Sequence, residues 1–554
     1  MLVMQHNKKI AAMPQLNGYA HDYQTVPAGF DPGLQTLPSP APDSWRHRVS
    51  GVLSPSRKVF DEIVWSVDLI HYCAGLAMNN VQPNQNQASR QRLSGALRQR
   101  HITMISLGGI IGAGLFVGSS ATIQAIGPAA FLSYLAAGIV VMLVMRMLGE
   151  MAVALPGVGS FTEYARIGLG NWVGFTSGWL YWYFWVIVVA VEAVVGANIL
   201  EQWIALPAWV IGLSLLAVMT AINCLSVKSY GEFEYWFASL KVFAIIVFIF
   251  VVGAYLFGFA PSTGALLGNL VNDRGFMPYG VSAILAGVPT VIFAVGGAEI
   301  ATIAAAESDD PSKNVANMTR SVIFRVITFY VGSIFLIVCV VPWGQIVAGH
   351  SPFVAALDVM RIPGAAMIMQ AVVLVAVLSA LNSGLYVSSR ILFGLSQRGD
   401  APAQLAVLTA RKVPRAAVLL SSVIGYIAIM AAIISPQGVF LFLVNASGAV
   451  MLFVYLAVAL AQIKVRRQVE ATAPSRLTLR MWLFPWLSYA VVAVIAGVLV
   501  AMAFQQSLRT QFLASLVSLG VVSTAYWLLK RRRQQTPTAH VSAIDILAGL
   551  STRS

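Results

Sequence analysis

Charge is what this 554-residue sequence has least of: Asp, Glu, Lys and Arg together make up 10%, where an ordinary soluble domain carries about 25%. A soluble fold this poor in charge would present wide apolar patches and aggregate. A chain that is 58% hydrophobic is also excluded from disorder along its whole length. Cysteine is nearly absent. Cys73, Cys224 and Cys339 show neither CxxC nor metal-ligand spacing, which argues against a disulfide framework. Cys224 and Cys339 fall in apolar runs and read as packing residues. The seven histidines all avoid the centres of those runs, and neither HExxH nor GxSxG occurs. An intramembrane enzyme would therefore lack its nucleophile and base or its metal ligands. There is no GxxxxGK[ST], which argues against ATP drive through a P-loop. No cofactor and no metal is expected. Acid is the scarcer sign, 21 residues against 35 basic ones, for a net charge of +14. Because no basic block sits on a soluble domain, the surplus reads as membrane topology and not as a nucleic-acid surface.

What is present is apolar length, and the mean hydropathy is +0.77. From His101 onward twelve runs are long enough to span a bilayer: about 101–124, 128–151, 172–200, 208–227, 234–257, 280–305, 321–343, 365–390, 415–434, 438–462, 483–504 and 510–530. They are continuously apolar and do not alternate, which selects helices over a barrel. The expected class is an all-α polytopic membrane protein with twelve transmembrane helices. Placing the N-terminus inside puts 31 of the 35 basic residues on the cytoplasmic side, leaves Arg274, Arg361 and Arg509 outside, and buries Lys241 within a span. Both termini are therefore expected in the cytoplasm.

Residues 1–98 are rich in Pro, Asn, Gln and Ser and read as a mostly disordered cytoplasmic tail. Within it, 59–78 is more apolar and suits a short amphipathic helix. No signal peptide is apparent. Translation from Met78 is a separate reading, which native peptides from 1–77 would exclude. A twelve-helix membrane domain over 99–533 and a C-terminal cytoplasmic tail over 534–554 complete the expected organisation.

Glycine interrupts two runs at matching positions, five helices apart. The first contains Gly108-Gly-Ile-Ile-Gly-Ala-Gly-Leu-Phe116 and the sixth Phe293-Ala-Val-Gly-Gly-Ala-Glu-Ile300. Such a pair points to an inverted-repeat transporter with broken helices and a site at the midplane. Unwound backbone offers free N–H groups to a carboxylate and free C=O groups to an ammonium. The bland alternative is close helix packing, since Gly108/Gly112 and Gly114/Gly118 are also small-xxx-small pairs.

Three charges lie deep in spans. Lys241 sits about two turns into the fifth run, where a charge costs roughly 2.5–3.5 kcal/mol on insertion scales. It either snorkels or serves as a proton-titrating group or a fixed cation in place of a metal ion. Glu299 follows the second glycine pair and either carries a proton or bonds freed backbone N–H groups. Glu192 in the third run is a structural partner or a pocket wall. Arg146, Glu150, Glu307, Asp309, Asp310, Arg320 and Arg390 gather at inner ends, where solvated loop charges are the default and a closing network is the alternative. Trp179, Tyr181, Trp182, Tyr183, Phe184 and Trp185 read as an interfacial or packing belt.

Taken together, these stretches resemble the amino acid permeases of the amino acid–polyamine–organocation superfamily, with the likeness greatest to bacterial 4-aminobutyrate (GABA) permeases. It covers about 97–533 and rests on HITMISLGGIIGAGLFVGSS (101–120), MRMLGEMAV (145–153), GSFTEYA (159–165), GWLYWYFWV (178–186), SVKSYGEFEYWFA (226–238), GAEIATIAAAES (297–308), LNSGLYVSSR (381–390), QRGDAP (397–402) and LRMWLFPWL (479–487). The resemblance implies two inverted five-helix repeats, broken in helices 1 and 6, plus two further helices. It implies proton-coupled uptake of an amino acid, GABA or a related small one, across the bacterial inner membrane. Another amino acid of the family, exchange, or channel-like facilitation are the alternatives. By motif, Gly112, Ala113 and Gly114 hold the substrate carboxylate. The backbone around Phe293, Gly296 and Gly297 receives its ammonium, with Phe293 as a gating aromatic. Lys241 and Glu299 match residues tied to proton coupling. GABA permeases read Phe-Ser-Phe-Met-Gly-Ala-Glu where this chain has Phe293-Ala-Val-Gly-Gly-Ala-Glu299. Val295 and Gly296 are thus expected to widen the pocket or loosen the break. The 98-residue tail is a second departure.

Overall fold

The computed structural model describes residues 111–156, 158, 160–225, 227–259, 266–299 and 311–533. The tails expected over 1–98 and 534–554 lie outside them. All regular structure among the described residues is helical, and no strand occurs there. This follows from the apolar runs: in hydrocarbon a backbone group has no water to bond, and a helix satisfies its own.

The chain opens with two short helices, α1 (Ala113–Phe116) and α2 (Gly118–Ile126), then the long α3 (Ala130–Ala154). A nine-residue helix, α4 (Phe161–Leu169), lies between α3 and α5 (Asn171–Glu201). Next come α6 (Ala208–Leu225), α7 (Val227–Ala254) and the interrupted pair α8 (Gly280–Ala286) and α9 (Val288–Val295). The seventh run folds as α10 (Pro311–Arg325), a π-helical stretch (Val326–Gly332) and α11 (Ser333–Val340). After the short α12 (Pro352–Val359) come α13 (Ala365–Gln397), α14 (Arg415–Ala432), α15 (Pro436–Thr472), α16 (Trp486–Phe504) and α17 (Gln506–Arg533).

Among the described residues, ten helices are long and apolar enough to cross a membrane. The expected first and sixth runs are not among them. Among the described residues they appear as the shorter apolar stretches Ala113–Ile126 and Gly280–Val295; α1 begins just after Gly112 and α9 ends just before Gly296. The parts of those runs before Ile111 and after Glu299 lie outside the described residues.

At the centre stands α5, apolar on every side, with 83% of its span window buried. It packs against α13, α14, α15, α4 and α6. A helix with no polar face belongs inside a bundle. At the periphery only 6% of the Leu508–Lys530 window is buried. α15 has 37 residues and is therefore about 55 Å long, well beyond a hydrocarbon core of about 30 Å. Its last turns carry Lys464, Arg466, Arg467 and Glu470, the composition expected of a helix end that leaves the membrane.

Candidate functional site

The first break is built around Gly112. Its backbone is not helical, and helix α1 starts at the next residue. The first turns of a helix have N–H groups with no partner inside the helix. Here the Ala113 N–H donates to both carboxylate oxygens of Glu192, each at 3.0 Å. Glu192 comes from the second half of α5 and is 2% exposed. A side chain at Gly112 has no room: a Cβ there would lie 2.4 Å from Glu192 Oε1 and 2.5 Å from the Ala380 Cβ. Glu192 therefore caps the break from 79 residues away.

The second break repeats this chemistry with a local partner. α9 ends at Val295, and Gly297 takes a φ of 102°, a backbone shape that glycine adopts without strain. Its N–H donates to both oxygens of Glu299 at 3.1 Å. Glu299 is fully buried and also accepts from the Tyr455 hydroxyl at 3.3 Å. On the other side of the break, the Tyr330 hydroxyl donates to the Ala294 carbonyl at 2.9 Å.

The two breaks touch. A Cβ at Gly114 would lie 2.7 Å from the Cα of Ala294, so glycine permits backbone-to-backbone contact there. Between them is a cavity of about 20 Å³, lined by Gly114, Phe184, Trp185, Glu192, Phe293 and Gly296 among others. That is room for about one water molecule. The structure thus brings Gly112, Ala113, Gly114, Glu192, Phe293, Gly296 and Gly297 to one place. Val295 turns the other way, beside Val322, Val326 and Tyr330. The space beside Gly296 is taken by the Phe184 ring: a Cβ at Gly296 would meet its Cζ at 2.6 Å.

Lys241 lies in α7, fully buried and away from this cavity. It does not snorkel. Its Nζ donates to Ser379 Oγ of α13 at 2.8 Å and stands 3.7 Å from Glu234 Oε1. Ser379 Oγ is in turn 2.8 and 2.7 Å from the two oxygens of Glu234. An unpaired buried charge costs several kcal/mol, of the order of 3–5 when one partner is removed, and Glu234 provides the compensation.

Three cavities follow one another along α5. One of about 220 Å³ takes in Tyr181, Arg390 and Arg398. The small break cavity takes in Phe184 to Glu192. A vestibule of about 930 Å³ takes in Val195 to Gln202, with His350, Gln370 and Phe440. Near the first of these, Glu163 pairs with Arg166 at 3.1 Å and with Arg398 at 3.4 Å, and Arg166 also pairs with Asp400. These bonds tie α4 to the end of α13.

Residues 101–537 match the family described as amino acid permease. The chain belongs to the amino acid permease family. The permease is 47% identical over 452 residues to the gamma-aminobutyric acid permease of Bacillus subtilis (strain 168), spanning 81% of this chain and 96% of that protein. It is 44% identical over 453 residues to the gamma-aminobutyric acid permease of Escherichia coli (strain K12), spanning 80% and 97%. It is also 40% identical over 428 residues to the aromatic amino acid transport protein AroP of Corynebacterium glutamicum, spanning 76% and 92%. With its apolar helices, the permease is a multi-pass membrane protein for amino acid transport.

Sequence reasoning about the permease passed over several residues that the fold brings into play. Tyr181, Phe184 and Trp185 are buried, and Phe184 and Trp185 line the break cavity, so this part of the aromatic belt faces the site. Glu150 is not a solvated loop charge. It is 1% exposed and accepts from Arg466 at 2.7 Å, from Gln462 at 2.8 Å, and from the Met481 N–H. Glu307, Asp309 and Asp310 lie outside the described residues. Glu234 had a signal in the sequence: it lies seven residues before Lys241, two turns away on the same helix face.

Proposed function

We propose that the permease imports a small amino acid, GABA or a close relative, together with protons across the bacterial inner membrane. Its chain crosses twelve times, as two inverted five-helix repeats broken at the first and sixth helices, plus two more. Both tails, 1–98 and 534–554, are cytoplasmic and flank the permease domain of 99–533. The observation that carries this reading is the contact of two helix breaks around one small cavity, each with a backbone N–H held by a buried carboxylate. A zwitterion needs N–H donors for one end and carbonyl acceptors for the other, and paired breaks offer both. The names of the GABA permease relatives support the substrate.

In this reading the Ala113 N–H, between Gly112 and Gly114, takes the substrate carboxylate. The backbone of Phe293, Gly296 and Gly297 takes the ammonium, and the Phe293 ring closes over it. Lys241 and Glu299 handle the coupled proton, and Glu192 is the pocket wall that yields its place to substrate. The large vestibule faces outward, and the Glu163–Arg166–Asp400–Arg398 cluster closes the inner end. Rocking of one repeat bundle against the other exposes the site alternately, and differential binding of substrate and proton to the two states couples them.

The test is uptake of labelled GABA by the reconstituted permease, with and without an inside-alkaline pH gradient, against a panel of unlabelled amino acids. Accumulation that requires the gradient and is competed by small amino acids is expected. Uptake indifferent to the gradient overturns symport. Lys241→Met is expected to abolish gradient-driven accumulation while the protein remains in the membrane. A second reading, an aromatic amino acid as substrate, is favoured by the Phe184, Trp185 and Phe293 lining. Stronger competition by phenylalanine or tryptophan than by GABA would select it.

A further inference from the structure

Glu234 is a fully buried carboxylate to which nothing above gives more than a compensating role. Its surroundings are ordered for more. Lys241 Nζ donates to Ser379 Oγ at 2.8 Å, and the same oxygen sits 2.7 Å from Glu234 Oε2. A hydroxyl has one proton and can accept while it donates. With its oxygen accepting from the ammonium, its proton points at the carboxylate. Ser383, one turn further along α13, bonds that carboxylate as well. Glu192 of α5 also acts on Lys241, through the field of its charge. Lys241 is therefore linked on one side to the residue that caps the first break and on the other to Glu234.

We infer that Glu234 is the acceptor for the proton that leaves Lys241, reached through the Ser379 hydroxyl. The step balances. The Lys241 N–H bond breaks and its proton bonds to Ser379 Oγ, while the original Ser379 proton bonds to a Glu234 oxygen. An ammonium, a hydroxyl and a carboxylate become an amine, a hydroxyl and a carboxylic acid. No electron pair leaves the triad, and its net charge is zero before and after. That suits a relay in surroundings of low dielectric, where an uncompensated charge is costly. Although Glu234 is anchored seven residues nearer the start of α7, the exchanging groups stand only 3.7 Å apart, so the hand-over is short. With both termini inside, the start of α7 is its inner end, so the relay passes the proton to a residue anchored nearer the inner side. This inference rests on the proton-symport reading of the preceding section.

The experiment uses the full-length reconstituted permease and labelled GABA. It compares gradient-driven accumulation with counterflow, the exchange of labelled for unlabelled substrate, which requires no net proton release. For Ser379→Ala, accumulation is expected to fall roughly tenfold or more, within the range of a positioned proton-transfer group. Counterflow is expected to stay within about threefold, as for a residue outside the substrate cavity. Ser379→Thr, which keeps the hydroxyl, should restore accumulation, and Glu234→Gln should behave as Ser379→Ala. If Lys241→Met keeps accumulation, the symport reading fails and the relay fails with it. If Lys241→Met loses accumulation while Ser379→Ala and Glu234→Gln both keep it, the relay alone is overturned. Loss of counterflow and accumulation together in Ser379→Ala, unrepaired by threonine, would reduce the triad to a structural ion pair and also overturn the relay.

Discussion

The two helix breaks solve one problem in two ways. Each leaves a backbone N–H that must be satisfied in a dry interior, and each gives it both oxygens of a buried glutamate. At the second break the glutamate is two residues away, so Gly297 and Glu299 close a local loop. At the first it arrives from another helix, so Ala113 and Glu192 bind α1 to α5. The local cap makes its N–H bonds within a single segment. The remote cap registers any movement of α1 relative to α5. Its glutamate also acts on Lys241, so the first break is electrostatically tied to the buried ion pair, while the second is tied to Tyr455.

Substitutions can break or sharpen this contrast. The largest effect is expected at Gly112→Ala, whose Cβ would stand 2.4 Å from Glu192 Oε1. A displaced cap should lower the initial uptake rate about 100-fold, the scale of a misplaced binding group, with the amount of membrane-inserted protein unchanged on an immunoblot. A variant that transports near the wild-type rate would show that the close approach is dispensable. Next come Glu192→Gln and Glu299→Gln, which keep an acceptor for the backbone N–H and remove the charge. Both should reduce proton-driven accumulation by roughly tenfold or more. Only Glu192→Gln should also change the behaviour of Lys241, so in counterflow, which needs no net proton release, combining it with Lys241→Met should add little, whereas Glu299→Gln should combine additively with Lys241→Met. Equal coupling energies in the two double-mutant cycles would erase the distinction. The smallest effect is expected for Tyr455→Phe, which removes one 3.3 Å bond to Glu299. A loss of about 0.5–1.5 kcal/mol corresponds to a two- to tenfold fall in transport rate at most, and a larger fall would mean that the second break depends on outside support after all.

Much of this was legible in the sequence because charge is so scarce in it. Lys241, Glu192 and Glu299 stand out among apolar neighbours, and the glycines mark both breaks. The apolar runs gave the helices, and glycine marks where two of them are interrupted. What stayed hidden was partnership. No local pattern links Ala113 to Glu192, and Ser379 is one serine among many in an apolar helix. Glu234 was masked by its position near the start of a run, where Lys228 and Glu232 make it resemble one more interfacial charge. The direction of Val295 was also unreadable, since consecutive residues beside a break follow no fixed period. The Phe184 ring over Gly296 is a tertiary substitution: a bulky group from α5 occupies the space that a side chain at 296 would fill.

The bifurcated hydrogen bond from the Ala113 N–H to Glu192 makes the first break a seat that already has an occupant. For any carboxylate that reaches the Ala113 N–H, binding is an exchange of one anion for another, so the number of bonds at the break need not rise. Affinity then depends on how well each anion fares elsewhere: the ligand in water, Glu192 in the field of Lys241. Weakly hydrated carboxylates gain from such a contest, and strongly hydrated ones lose. A molecule that brings its own positive end to the second break gains most, because it offsets the glutamate charge it sets free. Selectivity for zwitterions over simple acids would then arise from competition with an internal rival as much as from the shape of the pocket.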